Sequence, residues 1–225
     1  MANTETTINA VMHPQPNETP IDIEKTIKAL ERNKFVAHYF ETGAEAVAYL
    51  KNRIQNKCVA IGDSRTLMEL NVHDALSEVN EDITDIQRPL PGESFRDTAL
   101  RTMGRDVFLT SVNALSQTGE MVNIDGTGNR VAASLFGSQE VFFVLGVNKI
   151  TPDLASAIYR ARNVAAPLNS KKNKKSSLNP CATLDEKCYD CGSPDRICNA
   201  LTIYYKKMRN MQTMEIIIIN ESLGF

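Results

Sequence analysis

Residues 35–64 run FVAHYFETGAEAVAYLKNRIQNKCVAIGDS, and their reading decides the fold. Phe35–Phe40 alternates like a strand, and Thr42-Gly-Ala-Glu45 is a capping box opening a helix. Val47, Leu50 and Ile54 recur on one face of that helix. Cys58–Ile61 is a short apolar strand, ended by Gly62-Asp63-Ser64 with Ser64 as the natural N-cap of the next helix. Upstream, Thr19-Pro20 predicts a helix start before Ile23, Ile27 and Leu30; downstream, Leu67 and Leu70 predict another helix. The order α-β-α-β-α reads as an α/β protein with a parallel sheet flanked by helices.

The remainder is less regular. Pro89 and Pro91-Gly92 mark a loop, Phe95–Met103 reads as a short helix and Val107–Leu109 as a buried strand. Ser111–Asp125 reads as a hairpin or bent loop around Gln117-Thr118-Gly119. Val131–Phe136 reads as a helix turn, Val141–Leu145 as a central strand, and Thr151-Pro152-Asp153 as a strong helix start. Ile203–Tyr205 and Glu215–Asn220 are expected to return to the sheet as strands. Residues 1–18 are polar and read as a flexible arm. Residues 19–225 then form one domain with a cysteine-rich insert at about 171–200, and Lys171, Lys172, Lys174 and Lys175 read as a solvated linker.

Composition narrows the function only coarsely. Of 225 residues, 25 are basic and 27 acidic, and this near balance argues against a nucleic-acid binder. Val141–Val147 and Ile216–Ile219 are the longest apolar runs, too short for a membrane span. Residues 1–20 carry no Lys or Arg and no apolar stretch, so no secretory signal is read and a cytoplasmic location is expected.

The five cysteines are unevenly placed. Cys58 lies in an apolar strand and reads as a small core residue. Cys181, Cys188, Cys191 and Cys198 follow a C-x6-C-x2-C-x6-C spacing. A C-x2-C loop aims two thiolates at one ion, and the outer pair completes a tetrahedral set. Zinc and an iron–sulfur cluster suit these ligands equally, and plain thiols or a redox disulfide stand as the alternative. Lys187 and Arg196 are placed to offset thiolate charge.

The densest polar stretch runs from Asn113 through Thr118, Gly119, Glu120, Asn123, Asp125, Gly126 and Gly128 to Asn129 and Arg130. Glycines expose backbone N–H groups, and a helix starting at Asn129 or Arg130 would make an anion site. Arg130 would add a bidentate contact. Gly126-x-Gly128 lacks the third glycine of a dinucleotide fingerprint, so no nucleotide cofactor is predicted. The bland reading is that these residues simply make turns. Gly62 and Ser64 lie at a strand's C-terminal end, where open α/β sheets bind ligands. Asn148 and Lys149 are expected at the same edge, with a solvated loop charge the more expected role for Lys149. His13, His38 and His73 show no nucleophile or zinc-ligand spacing; His73 reads as a helix cap beside Asp74.

Asn113-Ala, Thr118-Gly-Glu120, Asn123-Ile-Asp-Gly-Thr-Gly-Asn-Arg130, Gly146-Val-Asn-Lys-Ile150, Ala166-Pro-Leu-Asn169 and Cys188-Tyr-Asp-Cys-Gly-Ser-Pro-Asp-Arg-Ile-Cys198 together resemble the LUD (lactate utilisation) domain family, from about Thr19 to Phe225. The chain looks like a stand-alone member carrying the cysteine-rich insert. It departs from many relatives at Gly62-Asp63-Ser64, where Asp63 replaces a glycine and brings a negative charge. The resemblance implies a Rossmann-like, mostly parallel sheet with helices on both faces, similar to the NagB/RpiA/CoA transferase-like fold. It also implies association with bacterial oxidation of L-lactate to pyruvate, alongside iron–sulfur redox proteins.

Three functions are expected from these readings. In the first, the chain is a component of a lactate-utilisation or related redox system, its four cysteines holding an iron–sulfur cluster. In the second, it is a non-enzymatic binding or regulatory module stapled by structural zinc. In the third, it is a CoA-transferase- or isomerase-like enzyme on a small anionic metabolite, with Glu120 as base or nucleophile. Whether the chain is catalytic stays open, and a homodimer is a possible assembly.

Overall fold

The computed structural model describes residues 19–172, 178–185 and 187–225. The expected arm at 1–18 and the linker residues Lys174 and Lys175 lie outside the described residues. Helix α1 (Ile23–Arg32) begins later than Thr19-Pro20 predicts, because Asp22 accepts the Lys25 N–H and serves as the cap. Strand β1 (Val36–Phe40), helix α2 (Gly43–Arg53) and strand β2 (Cys58–Ile61) occur as expected, and both halves of the Thr42/Glu45 capping box are formed. Short helices α3 (Arg65–Glu69) and α4 (Val72–Ser77) lead to β3 (Asp82–Asp85), α5 (Phe95–Arg101) and β4 (Val107–Thr110).

The Ser111–Asp125 stretch is a hairpin of β5 (Ala114–Ser116) and β6 (Met121–Asp125). Helix α6 (Asn129–Ala132) widens into a π turn over Ala133–Gly137 and precedes β7 (Glu140–Gly146). A 3₁₀ turn, Val147–Lys149, then gives β8 (Ile150–Thr151). Asp153 caps α7 (Leu154–Arg160), which continues through a π turn, Ala161–Ala165, into α8 (Ala166–Lys172). Helix α9 (Pro180–Thr183), β9 (Ala200–Tyr204) and β10 (Thr213–Ile219) complete the chain.

Six parallel strands form the main sheet in the order β1-β10-β7-β4-β2-β3. Its central strands are apolar along Val141–Leu145 and Ile216–Ile219 because both faces are covered. Residue parity sorts them: Phe142, Val144, Ile217 and Ile219 pack with Leu50, Ile54, Leu67 and Leu76 of α2–α4. Val141, Phe143, Ile216 and Ile218 point the other way, onto Leu30 of α1 and onto Leu115, Met121 and Tyr204 of a second, four-stranded sheet. That sheet has the order β8-β5-β6-β9, and α7 and α8 cover its far side through Ala157, Ala161 and Ala166.

Strand β9 therefore departs from expectation. It pairs antiparallel with β6 rather than returning to the main sheet, since its fully buried Tyr204 packs edge-on against Phe143 from outside the sheet. Cys58 is half-buried rather than core, its backbone N–H donating to Asp106 at the sheet's start.

Candidate functional site at the sheet's C-terminal edge

Parallel strands deliver their following loops to one edge. Residues after β2, β4, β7 and β10 converge there on Lys149. Its ammonium donates to Thr66 Oγ1 at 2.9 Å and Ser111 Oγ at 3.1 Å, and the residue is only 4% exposed. The solvated loop charge expected for Lys149 is thus corrected, because the 3₁₀ turn after β7 directs the side chain inward. Burial, with the Arg160 charge beside it and a smaller push from Arg130, lowers the Lys149 amine to about 7, against a partial opposing pull from Glu69. Burial also lowers Arg160, to about 10. Arg160 donates to the carbonyls of Asn148, Asn113 and Phe225.

Residues 223–225 lie across this cluster. Leu223 exchanges hydrogen bonds with the Asn148 side chain, and its carbonyl accepts from Thr66 Oγ1 at 3.4 Å. The Gly224 N–H donates to Glu69 at 2.7 Å. Gly224 sits at φ +63°, and a Cβ there would lie 2.6 Å from Thr66 Oγ1 and 3.1 Å from Lys149 Nζ, so only glycine lets the backbone come this close.

The Asn and Gly loop divides between two roles. Asn113 and the fully buried Asn123 clamp the start of the hairpin: Asn113 Oδ1 accepts from Ile124 N–H and Asn123 Oδ1 from Asn113 N–H. Asn123 also donates to the Ser111 carbonyl, which ties the clamp to the Lys149 cluster. Beyond it, the anion at the Gly126–Gly128 loop is the protein's own Asp125. Its carboxylate accepts from Thr127 N–H and Val131 N–H, with Arg130 Nε 3.6 Å away. Arg130 also donates to the Ile124 carbonyl, and Asn129 accepts from Thr127.

Gln117, Thr118, Gly119 and Glu120 form the hairpin tip against α1. Gln117 bonds Asp22 and Pro20, and Asn33 donates to the Gly119 carbonyl. Gly119 is at φ +97°, and a Cβ would meet the Ala29 carbonyl at 2.8 Å. The Glu120 carboxylate accepts from Thr118 Oγ1, so it faces its own turn and contacts neither Lys149 nor Arg160.

A concavity opens on the other side of α3 from this cluster. It has a volume of about 290 Å³, and Gly62, Ser64, Asn71, His73, Asp85 and Arg88 are among its lining residues. Rather than capping a helix, His73 lies inside α4 and its Nδ1 is 2.9 Å from Asp85 Oδ2.

The cysteine segment lies apart from both. Asn199 fastens it to the Gly126 loop through the Gly126 carbonyl and Asp125 carbonyl. Burial pushes the Cys198 thiol up, Arg196 pulls it down, and Cys188 and Cys191 add to the rise, so three of the thiols feel one another. Arg162 and Arg196 share Asp190, and Arg162 also approaches Cys188 Sγ at 3.8 Å. Cys181 lies on α9. The donor set suits zinc or an iron–sulfur cluster. Among the described residues, however, no three His, Cys, Asp or Glu side chains are drawn close enough to hold an ion.

Local sequence pattern does not reveal Thr66, Ser111 or Arg160. Thr66 and Ser111 follow strand ends, a signal that the rule of C-terminal edges already carries. Arg160 reaches the site from a helix of the other layer and leaves no local signal.

The family model described as LUD domain matches residues 23–219. The chain belongs to the LUD domain family. No curated protein sequence matches the chain. The crystal structure of a DUF162 family protein from Deinococcus radiodurans is similar with a TM-score of 0.51 and 12% identity, over 89% of this chain and 99% of that one. At this identity the likeness concerns the fold, a parallel sheet flanked by helices, which the LUD chain shares. Among the described residues no helix of this LUD chain is long and apolar enough to cross a membrane.

Proposed function

We propose that this LUD-domain chain serves a lactate-utilisation or related redox system by holding a small carboxylate, such as L-lactate or pyruvate, at Lys149. The observation that carries the reading is a buried ammonium bonded only to two hydroxyls, with Arg160 beside it and no carboxylate paired to it among the described residues. A buried cation that a single carboxylate, Glu69, answers only in part is costly, and an entering anion offsets that cost. Thr66 and Ser111 orient the ammonium, and residues 223–225 exclude water above it. A carboxylate would displace the Leu223–Phe225 segment from Thr66 and Arg160, the groups it already engages with its carbonyls.

Family association with lactate utilisation supports the redox context, in which iron–sulfur proteins are the partners. Cys188, Cys191 and Cys198, closed by Cys181, are the residues that would hold an iron–sulfur cluster or zinc in that reading; a cluster would supply electron transfer, and zinc would only staple the segment. Anaerobic purification with iron and zinc analysis tests this part, and neither metal above trace defeats it.

Calorimetric titration with L-lactate and with pyruvate at neutral pH tests the site. Saturable binding by wild type, lost in Lys149→Met, is expected. No binding of either acid removes the reading. The isolated chain is expected to show no lactate turnover with an artificial electron acceptor.

A further inference from the structure

The cleft between α3, α4 and residues 85–88 shares a sheet edge with Lys149 but not its side of α3. Asp85 ends β3 with a carboxylate that is almost fully buried, and both its oxygens are used. Oδ1 accepts the Gln87 N–H at 2.9 Å, and Oδ2 faces His73 Nδ1 at 2.9 Å. A carboxylate so placed only accepts, so Nδ1 carries the hydrogen, and Nε2 is the ring nitrogen left to meet a ligand hydroxyl. Among the described residues Nε2 has no partner, and His73 lines the cleft.

The surrounding groups are only partly committed, Gln87 donating to Asp63 at the cleft's rim. Asn71 holds a left-handed backbone, at φ +51°, without the capping bond that usually accompanies an Asn there, and its amide lines the same space. Ser64, 5% exposed, accepts from Leu67 N–H and keeps its own hydroxyl proton to donate. Arg88 is held by Asp74 in an exposed pair, the kind that exchanges for another anion at little cost. Ile61, Leu67 and Met68 supply an apolar wall.

We propose that this cleft binds a small hydroxylated anion, its negative end on Arg88 and its hydroxyl donating to His73 Nε2. Asp85 is the positioning residue that fixes the ring. The site is independent of the Lys149 reading and stands or falls separately. A carboxylate or a phosphate monoester offers the same chemistry at this volume, and the test distinguishes them.

The test titrates the full chain with L-lactate, glycerol 3-phosphate and inorganic phosphate while the imidazole signals are followed by NMR, with His38 as an internal reference. The expected result is a saturable shift confined to His73 with lactate or with glycerol 3-phosphate, whichever head group fits. Arg88→Gln, a change at an exposed position, should weaken it about tenfold, as expected for losing one charge-assisted hydrogen bond. Asp85→Asn should disturb the ring tautomer even without ligand. Lys149→Met should leave the shift unchanged. Three outcomes overturn the proposal: no His73 shift with any of the three, an equal shift with inorganic phosphate, or a shift abolished by Lys149→Met.

Discussion

The two ends of the main sheet bury charge in opposite ways. At the start of the strands, Glu140 and Glu215 are nearly fully buried, and Arg53 spans them with contacts of 2.5 and 3.0 Å. Lys57 approaches Glu140, while Tyr49 and His38 close on Glu215. Burial works against the Glu215 charge, but the bonds from His38 and Tyr49 and the Arg53 charge outweigh it and hold the carboxyl below its ordinary range. At the strands' C-terminal end, burial and the Arg160 charge act on Lys149 against a weaker pull from Glu69, and the amine falls to about 7. Burial of charge therefore does not mark a site. A charge that its surroundings disfavour does, because a structural network answers its own charges and a binding site leaves one for the ligand.

The largest way to break that contrast is Arg53→Met. Two buried carboxylates would lose their shared cation, at a cost of about 3 kcal/mol, less than for a fully enclosed pair because Arg53 is itself a third exposed. Urea unfolding at neutral pH measures it. The wild-type contribution of Glu215 is set by its lowered value: it is complete above the ordinary carboxylate range and is lost as pH falls through the folded-state value. The Arg53→Met stability curve should accordingly be flatter at acid pH, and a curve parallel to wild type would mean that the network is not charge-paired in solution.

Lys149→Met should act with the opposite sign. Replacing a disfavoured buried cation with an apolar chain of similar length stabilises by about 1–2 kcal/mol. The folded amine lies near 7 and the ordinary one at 10.5, so the unfolded chain binds more protons between these values. Wild-type stability should therefore rise with pH across that window. The variant should lack that rise, and a loss of stability in the variant would place Lys149 among the structural charges after all.

A smaller effect separates the lid from the cluster beneath it. Gly224→Ala forces an unfavourable positive φ and a contact with Thr66 Oγ1, costing about 1 kcal/mol, with the strain relieved by lifting residues 223–225. Amine-reactive labelling, read by mass spectrometry, should reach Lys149 faster in the variant. Unchanged labelling with a lowered melting temperature would show that these residues brace the fold without gating the site.

The same contrast explains what the sequence disclosed. Elements whose signals are local were legible: the Thr42/Glu45 box, the Ser64 cap and the apolar strands Cys58–Ile61 and Val141–Leu145 all occur as read. Lys149 was visible as a position but not as a buried group, since its environment is assembled from Thr66, Ser111 and Arg160, far apart in the chain. The Gly126–Gly128 loop carries an anion-binding signal, but the anion is Asp125 in the same stretch, and which partner a loop takes is decided only by the folded chain. Strand β9 was legible as a strand and not as a partner of β6, because pairing is a long-range property.

Glu120→Gln is expected to have the smallest effect. In a CoA-transferase-like reading this carboxylate would carry the chemistry, and its loss would abolish activity. Its position argues otherwise: it accepts from Thr118 at the tip of a hairpin whose neighbours, Gln117 and Gly119, are committed to holding α1. Glutamine keeps an oxygen for that Thr118 bond. Stability should change by no more than about 0.5 kcal/mol. Lactate or pyruvate binding should match wild type by calorimetry. Weakened binding in Glu120→Gln would bring the hairpin tip into contact with the ligand and shift the site from the sheet's edge toward the second sheet.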